Sequence, residues 1–353
     1  MILVFLCSCA GNQTRGAKNS ESEQRIIGVW MSCYELGAML DTGNFKNEFC
    51  GALENLKRIN TTDVFVHVRA FGDSLFESSF YPRNEKTLSY DFDVLDFMIS
   101  EAKKRNIRFH AWINPFRAPD GSFLSPADEE VRKRILSGIR EIASKYKISG
   151  VHFDDYFYPS PEYDRDEQAI ADYSRLSQNA LTTAEYRTAS ITSLIFSAKN
   201  AIKNIDPKLI FSISPAADIE KDKNSFFADV EYWCESGAAD WIMPQLYFGF
   251  EYNLEKFRFQ NLLRVWRDLP REENVKMIIG LPSYKLCTDK EPDNLEWGSG
   301  KDILARQVTE CFSYKDISGV CFFSYSSLFL EDEIHTASLA NIQKAIKIRT
   351  PKA

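Results

Sequence analysis

From Arg25 onward the chain alternates eight times between a short run rich in Val, Ile, Phe, Trp and Tyr and a longer amphipathic stretch. Few folds accommodate that rhythm. The short runs are Ile27–Tyr34, Val64–Ala70, Arg108–Asn114, Gly150–Tyr156, Leu209–Ser214, Trp241–Tyr247, Lys276–Leu281 and Gly319–Tyr325, and each reads as a strand. Between them Lys46–Ile59, Asp93–Arg105, Ala127–Tyr146, Ile191–Ile205, Phe226–Cys234, Leu254–Trp266, Asp302–Cys311 and Thr336–Ile348 read as helices. In Asp93–Arg105 the residues Val94, Phe97, Met98 and Ala102 share one face, and Lys103, Lys104 and Arg105 crowd the last turn. Eight such units in series, with no internal sequence repeat, predict an α/β fold, a (β/α)8 TIM-type barrel. A chain of 353 residues would ordinarily suggest about two domains, but barrels of this size form one; residues 25–353 are expected to be that single domain. The competing architecture is an open doubly wound sheet. It usually carries a glycine-rich phosphate turn after its first strand, and Trp30-Met31-Ser32-Cys33-Tyr34-Glu35-Leu36-Gly37 is not one.

Charge and cysteine usage narrow the partners. The 43 Lys and Arg against 50 Asp and Glu give a net charge of −7, spread without blocks, so no nucleic acid is expected to be held by charge. No apolar run reaches the roughly 20 residues a spanning helix needs. The first 24 residues read separately as a truncated lipoprotein signal and tether. Met1 to Leu6 is apolar, Leu6-Cys7-Ser8-Cys9 resembles a lipobox with Cys9 as the lipidated residue, and Asn12 to Gln24 is polar. That reading predicts a membrane-anchored protein of the cell envelope; its competitor is a cytoplasmic protein with a buried N-terminal strand. The six remaining cysteines show no C-x-x-C pair, which argues against a zinc or redox motif.

Barrel active sites form at the C-terminal ends of the strands, and the two-residue period of a strand says which side chains turn inward. Val64, Val66 and Val68 would face the helices, leaving Phe65, His67 and Arg69 towards the axis. In the third strand His110, Trp112 and Asn114 turn inward, and in the fourth His152 and Asp154, with Asp155 and Tyr156 at the rim. In the sixth, Gln245 and Tyr247 do so. Three of only four histidines thus converge with an Arg, an Asn, a Gln and two aspartates. Burying so many polar groups unpaired costs roughly 1–3 kcal/mol each, which stability does not explain. Aromatic rings near the strand ends, Tyr325 among them, suit the apolar faces of sugars, and carboxylates suit their hydroxyls.

The strand-end blocks carry a resemblance. Gly28-Val29-Trp30, Phe65-Val66-His67-Val68-Arg69-Ala70-Phe71-Gly72-Asp73, His110-Ala111-Trp112-Ile113-Asn114-Pro115-Phe116-Arg117 and Gly150-Val151-His152-Phe153-Asp154-Asp155-Tyr156-Phe157-Tyr158-Pro159 occur in order. Ile213-Ser214-Pro215, Pro244-Gln245-Leu246-Tyr247 and Gly319-Val320-Cys321-Phe322-Phe323-Ser324-Tyr325 follow. Together they resemble the glycosyl hydrolase-like family 10, bacterial envelope proteins with a (β/α)8 barrel. The departure is Ala216-Ala217-Asp218, where the family has a Phe-Gly pair. The resemblance implies action on glycans, one branch being linked to peptidoglycan strands stripped of their stem peptides.

The reaction expected is hydrolysis of a glycosidic bond by paired carboxyls. Asp154 suits a nucleophile and Asp155 the acid, with Asp73, Asp218 and Glu251 as other candidates for the acid. His67, Arg69, Asp73, His110, Trp112, Asn114, His152, Tyr156, Asp218, Gln245, Tyr247 and Tyr325 are the expected substrate contacts. The chain is expected to act as a monomer without cofactor or metal. Two alternatives differ in class. One is a glycan-binding lipoprotein that cleaves nothing; the other is a metal-dependent deacetylase, which would need His110, His152 and Asp154 to converge within about 4 Å of a common point.

Overall fold

A computed structural model describes residues 24–178, 180–287 and 295–347; Cys9 and the expected tether up to residue 23 lie outside them. Eight parallel strands close into a barrel in chain order: β1 (Ile26–Met31), β2 (Asp63–Arg69), β3 (Arg108–Ile113), β4 (Gly150–Phe153), β5 (Ile210–Ile213), β6 (Trp241–Ile242), β7 (Lys276–Leu281) and β8 (Ile317–Phe323). The last strand pairs with the first, Ile26 beside Gly319 and Trp30 beside Phe323. The expected barrel is therefore the observed one, and no open sheet forms. Gly150 shows how tightly the strands approach: a Cβ there would stand 2.4 Å from the Ile210 carbonyl oxygen and 2.7 Å from His110 Nδ1.

Two apolar layers follow from strand alternation. Val64, Val66, Val68, Phe109, Ala111, Ile113, Val151 and Phe153 pack outward against the helices. Ile26, Trp30, Phe65, Trp112, Trp241, Met243, Ile278 and Cys321 fill the barrel interior. Several strands end earlier than their composition suggests. β1 stops at Met31 because Ser32 opens a helix, Cys33–Asp41: Glu35 N–H donates to Ser32 Oγ and Ser32 N–H to Glu35 Oε2 (2.6 Å). β4 ends at Phe153 and β6 at Ile242; Pro244, with no N–H to donate, interrupts the second ladder, which resumes at Gln245 beside Ala216 and Gly280.

A buried ion pair holds the loop that follows β4. Arg187, on the helix Thr183–Lys203, donates from Nε and Nη2 to the two oxygens of Asp166, both at 2.8 Å, and from Nη1 to the Pro161 carbonyl. Tyr158 donates to the same carboxylate at 3.0 Å. Both charged side chains are almost wholly buried. Removing one partner strands the other charge in the interior, an outcome that typically costs about 3–5 kcal/mol. Asp166→Ala should therefore lower the urea-unfolding free energy by about that amount, and the double variant Asp166→Ala/Arg187→Met should recover part of it.

Candidate active site

The end of β4 delivers Asp154, which is 7% exposed. Its Oδ1 accepts the Asp155 N–H at 2.9 Å, the Gln245 amide at 3.0 Å and the Ser214 hydroxyl at 3.3 Å. Gln245 is itself fixed, because its amide also donates to the Ser214 carbonyl and its backbone bridges Ala216 and Gly280. Beneath the carboxylate runs a polar chain. The Trp30 indole N–H can only donate, so His152 Nε2 accepts from it at 3.0 Å and His152 Nδ1–H donates to Ser212 Oγ at 2.8 Å. Ser214 Oγ lies 3.1 Å from the same Nε2, but the indole already fills that acceptor, so the Ser214 proton goes to Asp154. Burial holds His152 neutral, with its pKa far below the usual value.

Asp155 and Asp154 repel each other as neighbouring carboxyls. Burial first, and then the Asp154 charge, drives the Asp155 pKa well above the usual carboxylate range. Burial raises Asp154 too, but the donors from Asp155, Ser214 and Gln245 oppose it. The pair therefore holds one proton preferentially on Asp155 and one charge on Asp154. Tyr247 faces the same carboxyls; burial and then the Asp154 charge keep its phenol protonated far above its usual range. Its ring stacks with Phe323 and meets Tyr284 edge-on. Tyr156, 39% exposed, lies at the rim with the Arg117 guanidinium 4.9 Å from its ring centre.

The expected contacts separate into two groups. Asp154, Asp155, Tyr156, His152, Gln245 and Tyr247 come together. His67 and Trp112 turn inward as expected, stacked with centroids 3.6 Å apart and planes at 7°, and Asn114 is buried at the end of β3. Five others go elsewhere. A bulge between His67 and Arg69 reverses the strand alternation. Arg69 instead lies over the Tyr81 ring at 4.2 Å and against Gly138 of the outer helix Glu129–Lys145. His110 sits at the other end of the barrel, its Nε2–H on Asp63 Oδ1 at 2.7 Å, where Asp63 also receives Arg108. His110 therefore does not converge with His152 and Asp154, and the deacetylase geometry is not met. Tyr325 turns outward to accept from Asn55. Asp218 caps the helix Ile219–Ser225. Asp73 lies off to one side, held by Asn84 and the Phe71 N–H.

Ser212, Ser214, Arg117 and above all Asp222 join the site without having stood out in the strand alternation. Asp222 sits in a short helix whose sequence, Ile219-Glu220-Lys221-Asp222-Lys223, reads as a solvated surface. It is nonetheless 1% exposed, with Oδ1 accepting the Ala216 N–H and Oδ2 lacking a partner. Its charge adds to the rise in Asp155. Burial pushes the Asp222 pKa well above the usual range. The sign follows directly. A raised folded-state pKa means the native state holds a proton the unfolded chain releases, so its contribution is full below about pH 4 and is lost as pH rises towards the folded pKa. Asp222→Asn should leave stability nearly unchanged at pH 4 and raise it at pH 8, read as unfolding midpoints across that range.

The chain compares clearly with known proteins. The glycosyl hydrolase-like 10 model matches residues 25–122 and 116–297. The chain is 25% identical over 362 residues to the glycosyl hydrolase YngK of Bacillus subtilis, covering 88% of this chain and 70% of that one. It is also 25% identical over 404 residues to the glycosyl hydrolase DigH of Escherichia coli K12, covering 91% and 90%. Its fold is similar to the PgaB (BpsB) glycoside hydrolase domain of Bordetella bronchiseptica, with a TM-score of 0.66, 10% identity, and 93% and 100% of the two chains covered. With its seven strand-end blocks in place around a closed parallel barrel, the chain belongs to the glycosyl hydrolase-like 10 family.

Proposed function

We propose that the protein hydrolyses glycosidic bonds of a bacterial cell-wall polysaccharide, peptidoglycan strands freed of peptide being the leading candidate. The observation that carries this reading is the adjacent carboxyl pair at the end of β4, Asp154 taking three donors on one oxygen and Asp155 beside it with its pKa pushed up by burial and by the Asp154 charge. Asp155 is the proton donor: its proton passes to the glycosidic oxygen as the bond from that oxygen to the anomeric carbon breaks. Asp154, ordered by three donors, supplies the negative charge against the anomeric centre. Water completes the reaction, its hydroxyl joining the anomeric carbon and its proton returning to Asp155. Tyr247, Gln245 and Tyr156 line the reacting groups. The family and the names of its relatives support this assignment.

The test is the release of reducing ends from peptide-free peptidoglycan strands. Asp154→Asn and Asp155→Asn should each reduce kcat by about 10²–10⁴ while the strands are still retained on a binding gel. Full activity in both variants would remove the assignment. A wild-type protein that retains the strands and cleaves none of them would favour the glycan-binding reading instead.

The proposed place of action is the cell envelope, supported by Leu6-Cys7-Ser8-Cys9 and the polar stretch after it. A diacylglycerol on Cys9 would supply two chains, enough for stable anchoring. Cys9→Ser should abolish palmitate labelling and membrane fractionation together.

A further inference from the structure

Beside the mouth of the barrel, a cavity of about 350 Å3 opens between the segment after β1 and the segment after β2. Its volume lies in the roughly 300–1,000 Å3 range of small-molecule sites. His67 forms its inner wall. This imidazole is 6% exposed; the Asn114 side chain lies beside it, and neither ring nitrogen makes a hydrogen bond of good geometry. Trp112 stacks on its other face, 3.6 Å away, so the ring is fixed in plane with its nitrogen-bearing edge left over. Nearby Trp112 Nε1 and Asn114 Oδ1 are also buried and unpartnered. Such atoms cost about 1–3 kcal/mol each when nothing satisfies them. An apolar ring at position 67 would pack as well against Trp112 without that cost. The cavity also carries the half-buried ring of Phe71 and Tyr34, which is 75% exposed on the first turn of the helix after β1.

We propose that this cavity is a second sugar subsite, taking one uncharged pyranose unit whose hydroxyls pair with His67 and Asp73 and whose apolar face meets Tyr34 or Phe71. The assignment rests on the glycosidase reading for its substrate class. The walls combine aromatic rings with hydrogen-bonding edges, which matches a ligand that is apolar on its faces and hydroxylated at its rim. The charges present exclude an acidic one. Lys86 is paired with Asp41, and Asp73 is held by Asn84 rather than by an ion pair, the Arg69 charge acting on it from outside the lining, so the lining side chains themselves carry a net negative charge. His67 adds no positive charge, because burial drops its pKa to about 3; it stays neutral, with one nitrogen donating and one accepting.

The experiment uses the full protein with N-acetylglucosamine, glucose and glucuronate as probes in saturation-transfer NMR. Ala38, an exposed residue of the cavity wall, is replaced by Trp to fill the cavity from outside, and His67→Phe removes the imidazole edge. Both neutral sugars should show transfer with the wild type and with Asp154→Asn, and show clearly less with Ala38→Trp and with His67→Phe, the remainder coming from the mouth itself. Glucuronate should show none. Ala38→Trp should keep its unfolding midpoint and raise the KM for peptide-free strands about tenfold. Neutral-sugar transfer as strong with Ala38→Trp as with the wild type would overturn the subsite, and glucuronate binding as well as glucose would overturn its uncharged character. If the sugars bind in the cavity and no strand is cleaved, the glycosidase reading fails and the subsite stands.

Discussion

The ladder between β1 and β8 is the constraint on which everything else rests. Once the last strand pairs with the first, the strand C-termini that supply the site lie on one rim, and polar side chains from β4, β5 and β6 meet around Asp154. In an open sheet the same residues would be strung along an edge. Closure also removes the exposed backbone groups that an edge strand presents. The helices then cover the outer face, so that the interior is left to a small set of large side chains.

That interior is not uniformly apolar, and its polar content is graded along the axis. At the N-terminal end Asp63 is buried, yet its pKa is lowered. Burial alone would raise it; hydrogen bonds and charge from His110 and Arg108 win. In the middle, neutral His152 is bracketed by Trp30, Ser212 and Ser214. At the C-terminal end the carboxyls crowd together with too few donors to satisfy them all. Near the mouth His67, Trp112 and Asn114 keep buried atoms without a well-formed hydrogen bond, as His110 Nδ1 does at the other end. Unsatisfied buried groups are costly to the fold and useful to a ligand where a substrate can reach them.

The carboxyl pair shows how position sets chemistry. Asp154 and Asp155 have the same side chain, yet the first receives three donors on one oxygen and the second faces a like charge from two neighbours. Asp222 contributes to that field from a helix that never joins the sheet, while its Oδ1 holds the Ala216 N–H. Ala216 in turn bridges Gln245, a donor to Asp154. The loop after β5 thus braces one acid and biases the other.

The sequence alone determined the barrel, because eight strand-helix alternations are local patterns written in hydrophobic spacing. It also determined which faces of β2, β3 and β4 turn inward as far as His67, Trp112 and His152, since strand alternation is a property of consecutive residues. It determined Asp154 and Asp155 as the pair at a strand end. What it could not encode locally was decided by packing. The bulge after His67 reverses alternation by one residue and sends Arg69 to the outer helix. The depth of His110, beside Asp63 rather than Asp154, depends on the register between strands, which no single strand contains. Asp222 looked solvated because its neighbours in the chain are charged, and it is buried because its neighbours in space are not in its own segment. Local periodicity is set within a few residues, whereas depth, register and charge environment are set by residues tens to hundreds of positions away.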